Sequence, residues 1–194
     1  VSPTPDPLAA VPRLQTAAAL ENTAVLTYTA LLGLDVVTGG DASVRAVLAT
    51  TLTHHAAHAA AFQAAAVAAG GAPQELPETE LLTAVRGRLT AVTTLGDALG
   101  VAALVESRLT ATYVTDATAA GTAALRTLYV GTAGVEAQHT TFLRIAAAAA
   151  GTDLPLTTRL QLRGAGALPA VATGAPTAFA TTAGATDATA GAVG

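Results

Sequence analysis

A carboxylate and an imidazole sit three residues apart, as Glu136-Ala137-Gln138-His139, in the middle of the apolar run from Leu125 to Ala150. On a helix that spacing puts both side chains on one face, about one turn apart. The face is the apolar one. Leu125, Leu128, Thr132, Glu136, His139, Leu143 and Ala146 step at threes and fours, as along the seam of a bundle helix. A Glu or a His buried there without a partner would be costly. A fold that accepts this helix must bring compensating groups to the same level of its core.

Three more stretches carry the same period. Pro12 suits the first turn of a helix whose seam, Leu14, Ala18, Glu21, Val25, Tyr28 and Leu32, runs on to about Val37, where Thr38-Gly39-Gly40 stops it. Asp41 is a good N-cap for a second helix with Val44, Leu48, Thr51, His55, His58, Phe62 and Ala65 on its seam, ended by Gly70, Gly71 and Pro73. Pro77-Glu78-Thr79-Glu80 predicts the start of a short helix, acidic in its first turn as the helix dipole favours, followed by a Thr-rich break. A third long helix carries Leu95, Leu99, Ala102, Glu106, Leu109 and Tyr113 and ends near Gly121; the fourth runs from about Thr122 to Ala150 and stops at Gly151. The expected fold is all-α, an antiparallel four-helix bundle over residues 12–150. Residues 70–94 form its one long crossover connection.

Composition narrows the chemistry. The 194 residues are mostly Ala, Thr, Leu, Val and Gly, so a core of close-packed helices is favoured. A net charge of −4 with no basic stripe excludes nucleic acid as a partner. With no Cys, thiolate sites and disulfides are excluded, and any metal must be held by nitrogen and oxygen ligands. The Ala runs are interrupted by Arg, Gln and His, which excludes a transmembrane segment in the given chain. Residues 1–11 are Pro-rich and expected to be an extended spacer of the kind that follows an export signal or lipid anchor; the expectation is an exported or cell-envelope protein, with a trimmed start and a cytoplasmic protein as the other reading. Residues 151–194, nearly uncharged and poor in large apolar groups, are expected to form an irregular tail, extended or disordered.

The polar residues of the four seams form one set. Of six Glu and four His in the chain, Glu21, His55, His58, Glu106, Glu136 and His139 lie near the middles of the long apolar helices. The other Glu residues, 75, 78 and 80, crowd one loop and read as a solvated helix start. The halves repeat as well. Glu21 and Tyr28 recur as Glu106 and Tyr113, 85 residues on, and His55-x-x-His58 lines up with Glu136-x-x-His139, 81 residues on. Two helical hairpins related by a pseudo-two-fold would bring all six side chains to one level.

This pattern resembles the ferritin-like superfamily, whose di-metal bundles take one Glu from each of two helices and E-x-x-H from the other two. The likeness covers roughly residues 12–150. Ala19-Leu20-Glu21-Asn22-Thr23-Ala24, the run from Glu106 to Tyr113 and Val135-Glu136-Ala137-Gln138-His139 are similar to bacterial ferritin-like domain proteins, many of them exported. The resemblance implies Glu21 and Glu106 as single-Glu metal ligands and Glu136 and His139 as one E-x-x-H pair. It implies Tyr28 and Tyr113 as hydrogen-bond donors to the ligand carboxylates. It also implies two divalent metal ions, iron first and manganese or zinc as alternatives, with O2 or peroxide as a partner and a possible di-metal oxidoreductase activity. A homodimer stays open. A long Ala/Thr/Gly tail does not suit a closed iron-storage shell.

The departure is His55, where the resemblance would place a Glu that commonly bridges the two metals. Two M²⁺ ions carry four positive charges, and three Glu leave the site at +1. Fewer carboxylates stabilise trivalent iron less, since hard oxygen anions favour it. Classical ferroxidase chemistry is therefore in doubt, and a mixed or single-metal site is open. His54 lies about 100° off the seam and is expected to flank the site or to hydrogen-bond to a ligand from outside it, and above all to be solvated, although His54 and His58 form an alternative i,i+4 clamp. The rival reading is a metal-free structural or interaction module in which His55 and His58 bond to Glu21 and Glu136.

Overall fold

The computed structural model describes residues 7–152, and every regular element among them is a helix. A 3-10 turn, Pro7–Ala10, leads into α1, Val11–Leu32. The remaining helices are α2 (Asp35–Thr38), α3 (Ala42–Ala68), α4 (Thr79–Leu89), α5 (Leu95–Ala119) and α6 (Ala123–Ala149). The spacer expected over 1–11 is thus helical from Pro7; residues 1–6, and the tail beyond Thr152, lie outside the described residues.

Local chemistry fixes the helix ends. Asp41 caps α3 by accepting from the Ser43 backbone N–H at 2.7 Å, and Thr122 caps α6 through the Leu125 N–H at 3.2 Å. Thr94 and Asp97 form a reciprocal capping box at the start of α5. Glu78, the residue after Pro77, caps α4: its carboxylate accepts from Leu81 N–H at 2.6 Å and Glu80 N–H at 3.1 Å. Gly70 and Gly151 take φ of +90° and +77° just past α3 and α6, a conformation that glycine enters without the Cβ clash.

One helix expected to run from Pro12 to Val37 is two. Gly33 ends α1, since glycine is poor in helix interiors, and Leu34 turns extended before α2 begins. The turn still buries Val37, to 1% exposure, so the apolar spacing that suggested a continuous helix is kept by a bend.

The four long helices pack α1 against α3, α5 against α6, and α1 against α5, while α3 and α6 meet lightly. Helix α1 is the innermost. The run Ala17-Ala18-Ala19-Leu20-Glu21 has no exposed surface, because alanine lets its neighbours approach closely. The connection from α3 to α5 is strapped to the same helix. Gln15 Nε2 donates to Ala72 O at 2.9 Å, Asn22 Nδ2 to Gln74 O at 3.1 Å, and the Glu78 N–H to Ala19 O at 3.0 Å. Held by α3, α5 and this strap, α1 fixes Glu21 at the centre of the core.

A candidate metal centre in the helical core

Six titratable side chains from α1, α3, α5 and α6 meet at one level. Glu21, His55, Glu106 and Glu136 have no exposed surface, and His139 has 9%. His55 lies in the middle. Its Nδ1–H donates to Glu21 Oε2 at 2.7 Å and its Nε2–H to Glu106 Oε1 at 3.0 Å. His139 Nδ1 donates to Glu136 Oε2 at 2.9 Å and stands 3.4 Å from Glu106 Oε2. His58 Nδ1 is 2.7 Å from Glu136 Oε1 and 3.6 Å from Glu21 Oε1.

The two tyrosines cross between hairpins. Tyr113 Oη on α5 donates to Glu21 Oε1 on α1 at 2.7 Å, and Tyr28 Oη on α1 donates to Glu106 Oε1 on α5. Each pair of packed helices thus holds a carboxylate of the other, α1 with α3 and α5 with α6. Phe62 and Tyr129 back Tyr113, with ring centroids 5.1 and 6.2 Å from it. Burial pushes both Tyr28 and Tyr113 well above the usual phenol range, and the nearby carboxylates push them further, so they remain proton donors.

The histidines are poised to be charged when no metal is bound. Burial opposes a charged His55, but the carboxylates of Glu106 and Glu21 outweigh it and raise its pKa well above the ordinary value. The same contest leaves His58 and His139 pushed up to about 9, through Glu136 and Glu21 for one and Glu106 and Glu136 for the other. Glu106 is pulled the opposite way: burial would raise it, and His55 and His139 hold it well below the carboxylate range.

His54 flanks the site from α3. It is exposed, yet its Nδ1 is 3.0 Å from His139 Nε2, with the two rings stacked at 5.3 Å. Burial and the neighbouring His139 lower its pKa, so neutral His54 accepts and His139 donates. A histidine that binds a metal typically gives its second ring N–H to an outer partner that fixes its orientation. His54 supplies that partner from α3 across the light α3–α6 contact. The 54/58 clamp does not form: among the described residues neither group of converging ligands contains His54. The signal that could have named its partner was His139 itself, whose second nitrogen needed an acceptor.

The donor set fits metal ions. Atoms from Glu21, His55, His58 and Glu136 lie within 4.8 Å of one another, as do atoms from His55, Glu106, Glu136 and His139. These are two four-residue groups that share His55 and Glu136. Nitrogen and carboxylate oxygen suit iron, manganese and zinc. Moreover, His58 Nδ1 and Glu136 Oε1 are buried and 2.7 Å apart, an ion pair outside hydrogen-bond geometry.

The ferritin-like domain family matches residues 9–149. No curated protein and no solved structure matches the chain.

Proposed function

Because the chain belongs to the ferritin-like domain family, we propose that it is a metal-binding protein whose Glu21, His55, His58, Glu106, Glu136 and His139 hold a pair of divalent ions. In this reading α1, α3, α5 and α6 form an antiparallel four-helix bundle in which residues 70–94 are the long crossover. The observation that carries the proposal is the sorting of six core side chains into two overlapping four-residue groups. Iron is the first candidate, with manganese and zinc as alternatives. A bound redox-active metal would supply electron transfer to O2 or peroxide, and the residues around it have separable tasks. Glu21 and Glu106 bind, and Tyr113 and Tyr28 orient them. His139 binds through Nδ1, oriented by His54 at Nε2. The edge where exposed His54 and half-buried His58 flank the buried His139 supports entry of small molecules between α3 and α6.

A second reading has its own observation. His55 already satisfies both ring nitrogens with Glu21 and Glu106, so the same core can stand as a metal-free network within a structural or interaction module. Loading the protein with Fe(II), Mn(II) or Zn(II) while following its melting temperature separates the two. Metal binding predicts a rise that saturates with about two equivalents. An unchanged melting temperature with every metal favours the network.

A further inference from the structure

His55 stands where the metal-site pattern places the Glu of a second E-x-x-H. Its two ring nitrogens face opposite ways. Nδ1 points into the group with Glu21 and His58, 2.7 Å from Glu21 Oε2 and 3.8 Å from Glu136 Oε1. Nε2 points into the group with Glu106 and His139, 3.0 Å from Glu106 Oε1. A single nitrogen cannot serve both groups, yet the ring belongs to both.

The geometry points to His55 as an imidazole-ring bridge between two metal ions, one on Nδ1 and one on Nε2, in place of a carboxylate bridge. This rests on the metal-binding reading above and adds how the two ions are joined.

Charge supports the same assignment. Three carboxylates leave two divalent ions with one uncompensated positive charge beside Glu21, His55, Glu106 and Glu136, which have no exposed surface, and unpaired charge is expensive there. Binding at both nitrogens displaces both ring N–H protons to solvent, as metal ligation generally releases ligand protons. The ring then carries one negative charge and the site is neutral. His55 thereby restores the two things lost with the missing Glu, a bridge and an anion. The surroundings hold the ring in this orientation: Tyr28 packs against it with centroids 5.0 Å apart, and His55 has no exposed surface.

The separation of the ions is the readout. With metal–nitrogen bonds of about 2.0–2.1 Å on opposite edges of one imidazole, the ions stand about 6 Å apart, against about 3.5–4 Å in compact two-metal sites. The test is electron paramagnetic resonance of the full chain loaded with Cu(II), with bound copper counted by elemental analysis, beside the variant His55→Glu. Two bound ions coupled at about 6 Å in the native protein, shortening to about 4 Å or less in a folded His55→Glu, is the expected result. The native measurement stands alone if the variant fails to fold. Two ions closer than about 4 Å in the native protein would overturn the bridge. One ion per chain would overturn it too, while leaving metal binding intact; no bound ion would overturn both.

Discussion

Tyr113 of α5 donates to Glu21 of α1 across 92 residues of sequence, its oxygen 2.7 Å from Glu21 Oε1. Tyr28 of α1 makes the reciprocal bond to Glu106 of α5. Neither tyrosine serves the glutamate on its own helix, so the two hairpins can hold their carboxylates only when docked together. Site assembly and hairpin docking are thus one event.

Tyr113→Phe should therefore cost both stability and metal. Removing one donor from a buried carboxylate is worth about 1–3 kcal/mol, and loss of an outer-shell partner lowers metal affinity about 10- to 100-fold. Urea unfolding and competitive zinc titration measure the two. A variant unchanged in both would mean the Tyr113–Glu21 bond is incidental.

The pH dependence of the metal-free protein has a definite sign. His58 and His139 rise from an ordinary value of 6.5 to about 9 on folding. Their contribution to stability is complete below pH 6.5 and is lost as pH climbs through 9. Metal must displace those protons, so its stabilising effect should grow over the same interval. Melting temperatures between pH 6 and pH 9.5 should fall without metal, and the metal-induced increment should widen. Parallel curves with and without metal would contradict coupling between these histidines and the ions.

His54→Ala should weaken metal binding by about 10- to 100-fold without abolishing it, because His54 orients His139 and stands outside both ligand groups. His139→Ala, which removes a ligand atom, should do more. Zinc titrations of the two variants decide. Equal losses would make His54 a ligand.

Much of this architecture was legible in the chain because apolar period and polar exceptions share the same seams. Thr51, His55, Phe62, Glu106, Tyr113, Glu136 and Leu143 are all buried on those seams. The cap at Asp41 was legible because an N-cap acts through its own side chain on the next few residues. Two features were not. The bend at Gly33 escaped because Val37 keeps its place in the apolar rhythm by turning inward. The bond from His54 to His139 escaped because His54 lies off the seam of α3 and its partner is 85 residues away. A one-dimensional period cannot register a contact made across two helices at an exposed edge.

The most direct test is elemental analysis of the protein purified without chelating resin, before and after loading with Fe(II), Mn(II) and Zn(II), beside the double variant Glu136→Ala/His139→Ala. The account predicts about two equivalents retained by the native chain and lost from the folded double variant. A native chain that stays helical and retains no metal under any loading would contradict it, and would leave the buried Glu–His core as a structural network alone.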